Sequence, residues 1–310
     1  MNKLAFVFPG QGSQKVGMLA ELAIKYSVIE ETFAEASEVL GYDLWSLVQA
    51  GPQEELNLTE RTQPMLLTAS VALWRVWQQE KGVEPTVMAG HSLGEWSALV
   101  CAGVVDFKDA VKLVQLRGKY MQEAVPKGEG SMAAIIGLDD DVIIAACTEA
   151  AQDGVVSAVN FNSPGQVVIA GSAAAVDRAC ELCKEKGAKR ALLLAVSAPF
   201  HSSLLRPAAD RLAEDIAKVL FKTPQIPVIH NVHAKAESDP EAIKKAMIEQ
   251  IYHPVLWVAC INTLVKEGVD TCVECGPGKV LSGLSKRIDR SITSLATETP
   301  DSFSAALSGL

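Results

Sequence analysis

Five consecutive apolar residues, Leu4–Phe8, set the first pattern in the chain. A run with no polar face reads as a strand buried on both sides. It empties into a glycine-rich loop, Pro9-Gly10-Gln11-Gly12-Ser13-Gln14, after which apolar positions recur at helical spacing through 18–26, 30–40, 44–48 and 62–80. Residues 68–77 are apolar almost all round, which predicts a helix buried against a sheet. A second short apolar strand, 86–90, leads through a sharp turn into another helix, and Asp106 stands as the N-cap of a helix running to Ala124.

At Pro126-Lys127-Gly128-Glu129-Gly130 the pattern changes. Strands are expected at 132–138, 155–161, 166–170 and 190–196, with helices at 140–151 and 173–186. The order β-α-β-β-α-β is that of a ferredoxin-like unit. Its hairpin loop is expected at Asn160-Phe161-Asn162-Ser163-Pro164-Gly165, rich in turn formers. Helices at 208–220 and 240–251, strands at 227–231 and 268–274, the tight loop Cys275–Lys279 and a helix from about Leu281 complete the chain. The pattern predicts an α/β protein in which residues 1–127 and 197–310 form a large subdomain and 128–196 a ferredoxin-like insert.

The turn after strand 86–90 is Gly90-His91-Ser92-Leu93-Gly94. Strand, Gly-x-Ser-x-Gly and helix together describe a nucleophile elbow, with the serine oxygen at a helix N-terminus where developing negative charge is favoured. The same residues also read as a capping box, because Glu95 follows Ser92 by three positions, and that reading needs no catalysis.

Composition narrows the choice. The 310 residues are 49% hydrophobic and 21% charged, with a net charge of -9. That balance argues against a nucleic-acid partner, which calls for a basic face. No apolar run reaches membrane-spanning length, and the short one before Pro9 does not make a signal peptide, so a cytoplasmic protein is expected. Seven cysteines include Cys180/Cys183 and Cys272/Cys275 at Cys-x-x-Cys spacing. Neither pair has the turn residues of a zinc knuckle, and both are expected as buried thiols rather than metal ligands.

Two further residues stand out. In helix 106–124 the apolar stripe Ala110, Leu113, Val114, Met121, Ala124 includes Arg117, which therefore faces the core. It is either snorkelling out to solvent, paired with a structural acid, or waiting for a ligand carboxylate, which a planar guanidinium suits. His201 follows the last strand of the insert, where the two subdomains should meet, and is the best-placed of five histidines for a general base.

Phe8–Gln14, Thr62-Gln63-Pro64, Gly90–Glu95, Arg117-Gly118, Asn160–Gln166, Pro199–Ser202 and Gly276-Pro277-Gly278 stand together in an order that closely resembles the malonyl-CoA:acyl carrier protein transacylases, discrete bacterial acyltransferases of fatty acid synthesis. The resemblance covers essentially the whole chain. It implies an α/β-hydrolase-like large subdomain with a central parallel sheet, interrupted by the ferredoxin-like one, and an active site in the cleft between them. It further implies Ser92 as nucleophile, His201 as its base, and the backbone carbonyl of Gln250 orienting that histidine in place of a triad acid. The N–H groups of Gln11 and Leu93 are implied as the oxyanion hole and Arg117 as the clamp on the malonyl carboxylate. His91 is implied to line the pocket, Phe200 to narrow it against an α-methyl group, and Asn160 and Asn162 to face the pantetheine arm. Malonyl-CoA and acyl carrier protein are the implied substrates, with no cofactor and no metal. His253 and Leu256 depart from the family pattern and affect rim contacts only.

Two rivals share parts of this pattern: a polyketide-pathway transacylase, and a serine thioesterase or hydrolase, which would want an acid between nucleophile and histidine in chain order. Because the carrier partner and CoA are both acidic, cations must gather near the cleft. Lys184, Lys186, Lys189 and Arg190, and Lys279, Lys286, Arg287 and Arg290, are the candidates.

Overall fold

The computed structural model describes residues 3–196 and 198–310; the expected subdomain limits at Met1 and Ser197 lie outside these. The described strands are β1 (Lys3–Phe8), β2 (Val87–Gly90), β3 (Gly130–Ile136), β4 (Val156–Ser163), β5 (Gln166–Ser172), β6 (Arg190–Leu193), β7 (Val228–Ile229), β8 (Val269–Glu274) and β9 (Thr293–Ala296). They form two sheets, one of order β7-β2-β1-β8-β9 and one of order β4-β5-β3-β6.

Every pairing in the first sheet is parallel. Its centre, β1, is the five-residue apolar run, and its alternation divides the core. Phe6 and Phe8 face one layer, where Phe6 meets Trp74 and Trp77 edge-on at 5.3 and 5.1 Å. Those tryptophans lie on the helix Thr59–Gln79, which is buried as its all-round apolar stretch requires. Ala5 and Val7 face the other layer, with Trp257 and Leu264. The register places Phe8 beside Gly90, so the glycine-rich loop after β1 and the elbow after β2 leave the sheet side by side.

The second sheet is antiparallel throughout and is built from the β-α-β-β-α-β segment. Period 2 again sorts its side chains. Ala133, Ile135, Val167 and Ile169 pack with Ile143 and Val176 of its own helices. Met132, Val168 and Ala170, together with Val159, join the large core instead. The sheet thus has its helices on one side and the rest of the protein on the other. Backbone bonds reinforce this: Phe161 N–H donates to Val255 O at 3.0 Å, and Val255 N–H to Val159 O at 2.8 Å.

Two expectations are corrected. The hairpin loop is shorter than its composition suggested: β4 runs to Ser163, and only Pro164 and Gly165 turn. Pairing with β5 and the bonds to Val255 hold Asn160–Ser163 extended against their weak strand preference. The helix expected from Thr62 starts at Thr59 and carries Pro64 within it. All seven cysteines are buried; Cys180 and Cys183 share the core of the small sheet, while Cys272 and Cys275 lie in two different cores on either side of the parallel sheet.

Candidate active site

The elbow forms because three backbones approach closely. A Cβ on Gly90 would lie 2.0 Å from Gly94 backbone, and one on Gly94 2.0 Å from the carbonyl oxygen of Phe8. Ser92, between them, has φ +52° and ψ -109°, a strained conformation that lifts its side chain out of the turn. Asn231, just past β7, supports it, accepting the Ser92 N–H at 2.8 Å and donating to Gly90 O at 2.7 Å.

The capping-box reading of Ser92 and Glu95 is overturned. Ser92 makes no side-chain cap bond to the helix Leu93–Cys101. The Glu95 carboxylate is fully buried and binds His230 Nδ1 at 2.7 Å, Asn231 N–H at 3.0 Å and Gln250 Nε2 at 2.7 Å. Its partners lie 135 to 155 residues away, out of reach of any local pattern.

Ser92 Oγ stands 2.7 Å from His201 Nε2. His201 Nδ1 lies 2.7 Å from the backbone carbonyl of Gln250, which can only accept. Nδ1 therefore carries the proton, and Nε2 is free to take one from Ser92. Burial first, and the Arg117 cation second, push the His201 pKa down to about 3. The imidazole is neutral at pH 7, the state a general base needs.

Arg117 comes from the helix Phe107–Glu123 and is 1% exposed. The neighbouring Gly118 lets that helix press against Thr59, where a Cβ would sit 2.6 Å from a backbone oxygen. This brings Arg117 Nη1 to Gln63 Oε1 at 2.7 Å and Nη2 to Gln250 Oε1 at 2.9 Å and Ser92 Oγ at 3.2 Å. None of these acceptors is a carboxylate, and Nε is buried without a partner. Burial lowers the Arg117 pKa to about 10, with Glu95 opposing the fall, so the guanidinium stays charged.

A cavity of about 140 Å³ opens over Ser92, walled by Gln11, His91, Phe200, Met132, Asn160 and Leu194 among others. Leu93 lines it too, and neither the Leu93 nor the Gln11 N–H donates to a protein acceptor among the described residues. The structure thus brings Ser92, His201, Gln250, Gln11, Leu93, Arg117, His91, Phe200 and Asn160 to one place. Asn162 stands behind His91. Its Oδ1 bonds His91 Nε2 at 2.7 Å and so steadies the pocket wall. Burial lowers the His91 pKa, against that hydrogen bond.

Sequence reasoning missed Gln63, His230, Asn231 and the side chain of Gln250, and gave Glu95 only the role of a helix cap. The amides carry no periodicity or motif. Of these, Gln63 alone falls in a recognised stretch, Thr62-Gln63-Pro64, which implies no role for the glutamine.

The acyl transferase domain family matches residues 5–299. A malonyl CoA-acyl carrier protein transacylase of Escherichia coli is 61% identical over 307 residues, 99% of each chain, and that of Bacillus subtilis 47% over 311 residues, covering 100% of this chain and 98% of its own. Among solved structures, an acyl carrier protein S-malonyltransferase from Vibrio cholerae superposes with TM-score 0.97 at 62% identity, over 98% of this chain and 99% of its own. A malonyl-transacylase in complex with a type II polyketide acyl-carrier protein superposes with TM-score 0.99 at 57% identity, over 100% of each. The chain belongs to the acyl transferase domain family and, within it, to the malonyl CoA-acyl carrier protein transacylases.

Proposed function

We propose that the protein moves the malonyl group of malonyl-CoA to the pantetheine thiol of acyl carrier protein, by way of a malonyl ester on Ser92. The observation that carries this reading is Arg117. A buried cation with no carboxylate partner stands 3.2 Å from the candidate nucleophile, where the carboxylate of a three-carbon diacid reaches once its other end is attacked.

The cycle is ping-pong. Ser92 Oγ attacks the thioester carbonyl as His201 Nε2 takes its proton. The N–H groups of Gln11 and Leu93 hold the resulting oxyanion; losing one such donor typically costs about 3 kcal/mol of barrier. The C–S bond breaks and His201 returns the proton to the CoA thiolate. In the second half the pantetheine thiol gives its proton to His201 and attacks the ester. The C–O bond then breaks, and His201 reprotonates Ser92. Throughout, Gln250 O holds the Nδ1–H and so takes the part of a triad acid. The chemistry calls for no metal or cofactor, since both substrates bring activated or nucleophilic sulfur.

In architectural terms we read the parallel-sheet half as α/β-hydrolase-like and the β-α-β-β-α-β half as a ferredoxin-like subdomain, spanning 1–127 with 197–310 and 128–196. The strand order β4-β5-β3-β6 supports the second label. His91, Phe200 and Asn160 shape the acyl and pantetheine sides of the cavity. Of the cations expected near the cleft, Lys184 and Lys186 pair with Glu181 and Glu149, and Arg287 donates to Gln166. No described helix is long and apolar enough to cross a membrane. With a net charge of -9, a cytoplasmic place and no nucleic-acid partner complete the reading.

Intact mass after mixing with malonyl-CoA is the test. A malonyl adduct on Ser92, discharged by holo acyl carrier protein to malonyl-carrier product, supports transfer. Release of free malonate alone would favour a hydrolase. The similarity to a transacylase bound to a polyketide carrier favours a second acceptor class. Discharge by a type II polyketide carrier protein in the same assay decides it.

A further inference from the structure

The mechanism above gives no part to Glu95, yet this buried carboxylate touches the two residues that hold the machinery in place. Asn231, bound through its N–H, fixes both backbone groups that flank His91 in the elbow. Gln250, bound through Nε2, meets all three reacting residues at once. Its carbonyl accepts from His201, its Nε2 also donates to Ser92 O at 2.9 Å, and its Oε1 accepts from Arg117. A carboxylate only accepts and a guanidinium only donates, so the Gln250 amide has one possible orientation between them. Glu95 and Arg117 are thereby kept one side chain apart. The anion still favours the Arg117 cation across that gap. It does not neutralise it in a direct pair, and Arg117 Nε remains without a partner.

We propose that Glu95 is a positioning residue for acyl transfer that acts through Gln250: the carboxylate locks the amide that holds His201 and braces Ser92, and the amide spaces that carboxylate from Arg117 so that the guanidinium stays open to a substrate carboxylate. The proposal rests on the malonyl-transfer reading above. It assigns a purpose to the amide at 250 beyond its backbone. A carboxylate at that position would reach Arg117 directly and occupy the substrate's receptor from inside.

The exchange variant Glu95→Gln/Gln250→Glu tests this. It keeps one carboxylate, one amide and the side-chain volume of the pair, but moves the charge next to Arg117. Ser92 acylation is followed by intact mass with malonyl-CoA and with acetyl-CoA, alongside a melting curve. The exchange variant is expected to melt cooperatively and to lose about tenfold or more of the malonyl-over-acetyl ratio in kcat/KM, since a buried pair formed within the protein competes with the substrate's. A purely structural pair would lower both donors together and leave the ratio unchanged, and that result overturns the proposal. Glu95→Gln alone guards against an exchange variant that does not fold. The carboxylate's three bonds, that to Gln250 among them, lose their charge assistance, so kcat is expected to fall about tenfold for both donors with KM for malonyl-CoA not raised. Wild-type kcat in that variant overturns it equally. If the wild-type protein forms no malonyl-Ser92, the functional reading itself has failed, and that control separates the two.

Discussion

His201 and Arg117 meet on one oxygen: Ser92 Oγ lies 2.7 Å from the imidazole Nε2 and 3.2 Å from the guanidinium Nη2. The serine donates to the first and accepts from the second. The base that must take its proton therefore sits beside a permanent cation, and several measurable properties follow from that placement.

The first is the pH profile. With His201 held neutral down to about pH 3 by burial and by Arg117, kcat/KM for Ser92 acylation is expected to stay level as pH falls through the ordinary imidazole range near 6.5. Arg117→Gln removes the nearby charge, raises the His201 pKa and moves the acid limb upward. A wild-type limb centred near pH 6.5 would contradict the assignment.

The same shift enters stability. An unfolded histidine titrates near 6.5 and folded His201 well below it, so the native state binds fewer protons. His201's contribution is complete above pH 6.5 and is lost as pH falls from there toward the folded value. His201→Gln should narrow the drop in unfolding free energy between pH 7 and pH 5 by about 2 kcal/mol, read from urea titrations at the two pH values.

Arg117 should decide the acyl group. Arg117→Ala is expected to cut malonyl-CoA kcat/KM by roughly two decades or more, as the loss of a buried charge partner worth about 3–5 kcal/mol implies. Acetyl-CoA should suffer far less, and free malonate should rise, because the pinned carboxylate no longer fills the route of water. Normal malonyl transfer in this variant would sink the clamp.

The elbow depends on glycine through space rather than through flexibility. Gly94→Ala would press a methyl group to 2.0 Å from the Phe8 carbonyl oxygen, a backbone atom at the end of the central strand. It should destabilise the fold by several kcal/mol and abolish Ser92 acylation, in line with the tail of point-mutant effects from overpacking. A soluble, active Gly94→Ala protein with an unchanged melting temperature would count against this account.

Asn231→Ala probes the buried support. It leaves the Ser92 N–H without its acceptor and Gly90 O without this donor, each costing about 1–3 kcal/mol where water is excluded. Differential scanning calorimetry should show a melting temperature lower by several degrees, with acylation slowed beyond the stability loss.

The strands and helices were legible where one residue type carried a period. Leu4–Phe8 reads as a strand buried on both faces, and the stripe around Arg117 turns that arginine inward. Glu95 shows where such reading ends. Ser-x-x-Glu is a helix cap in local terms, and only the arrival of His230, Asn231 and Gln250 from distant elements converts it into a buried hub. Asn160–Ser163 fails for a related reason: turn-forming composition is overruled by pairing to β5 and to Val255. Amide side chains such as Gln63 and Asn231 have no pattern at all, since what they do depends on whatever arrives opposite them.

The bonds joining Val255 to Val159 and Phe161 have a mechanical side. They fasten the antiparallel sheet to the rest of the protein along one line, close to where Asn160 enters the cavity wall. Ser92, His201, Arg117 and Gln250 all lie outside that sheet, in the segments that flank it in sequence. Met132 and Leu194 of the cavity wall belong to the small sheet or follow it directly, whereas the reacting groups do not, so the wall and the chemistry are carried by different parts of the chain. Amide exchange at Val255 and Phe161 should accordingly be slower than at the β6 edge.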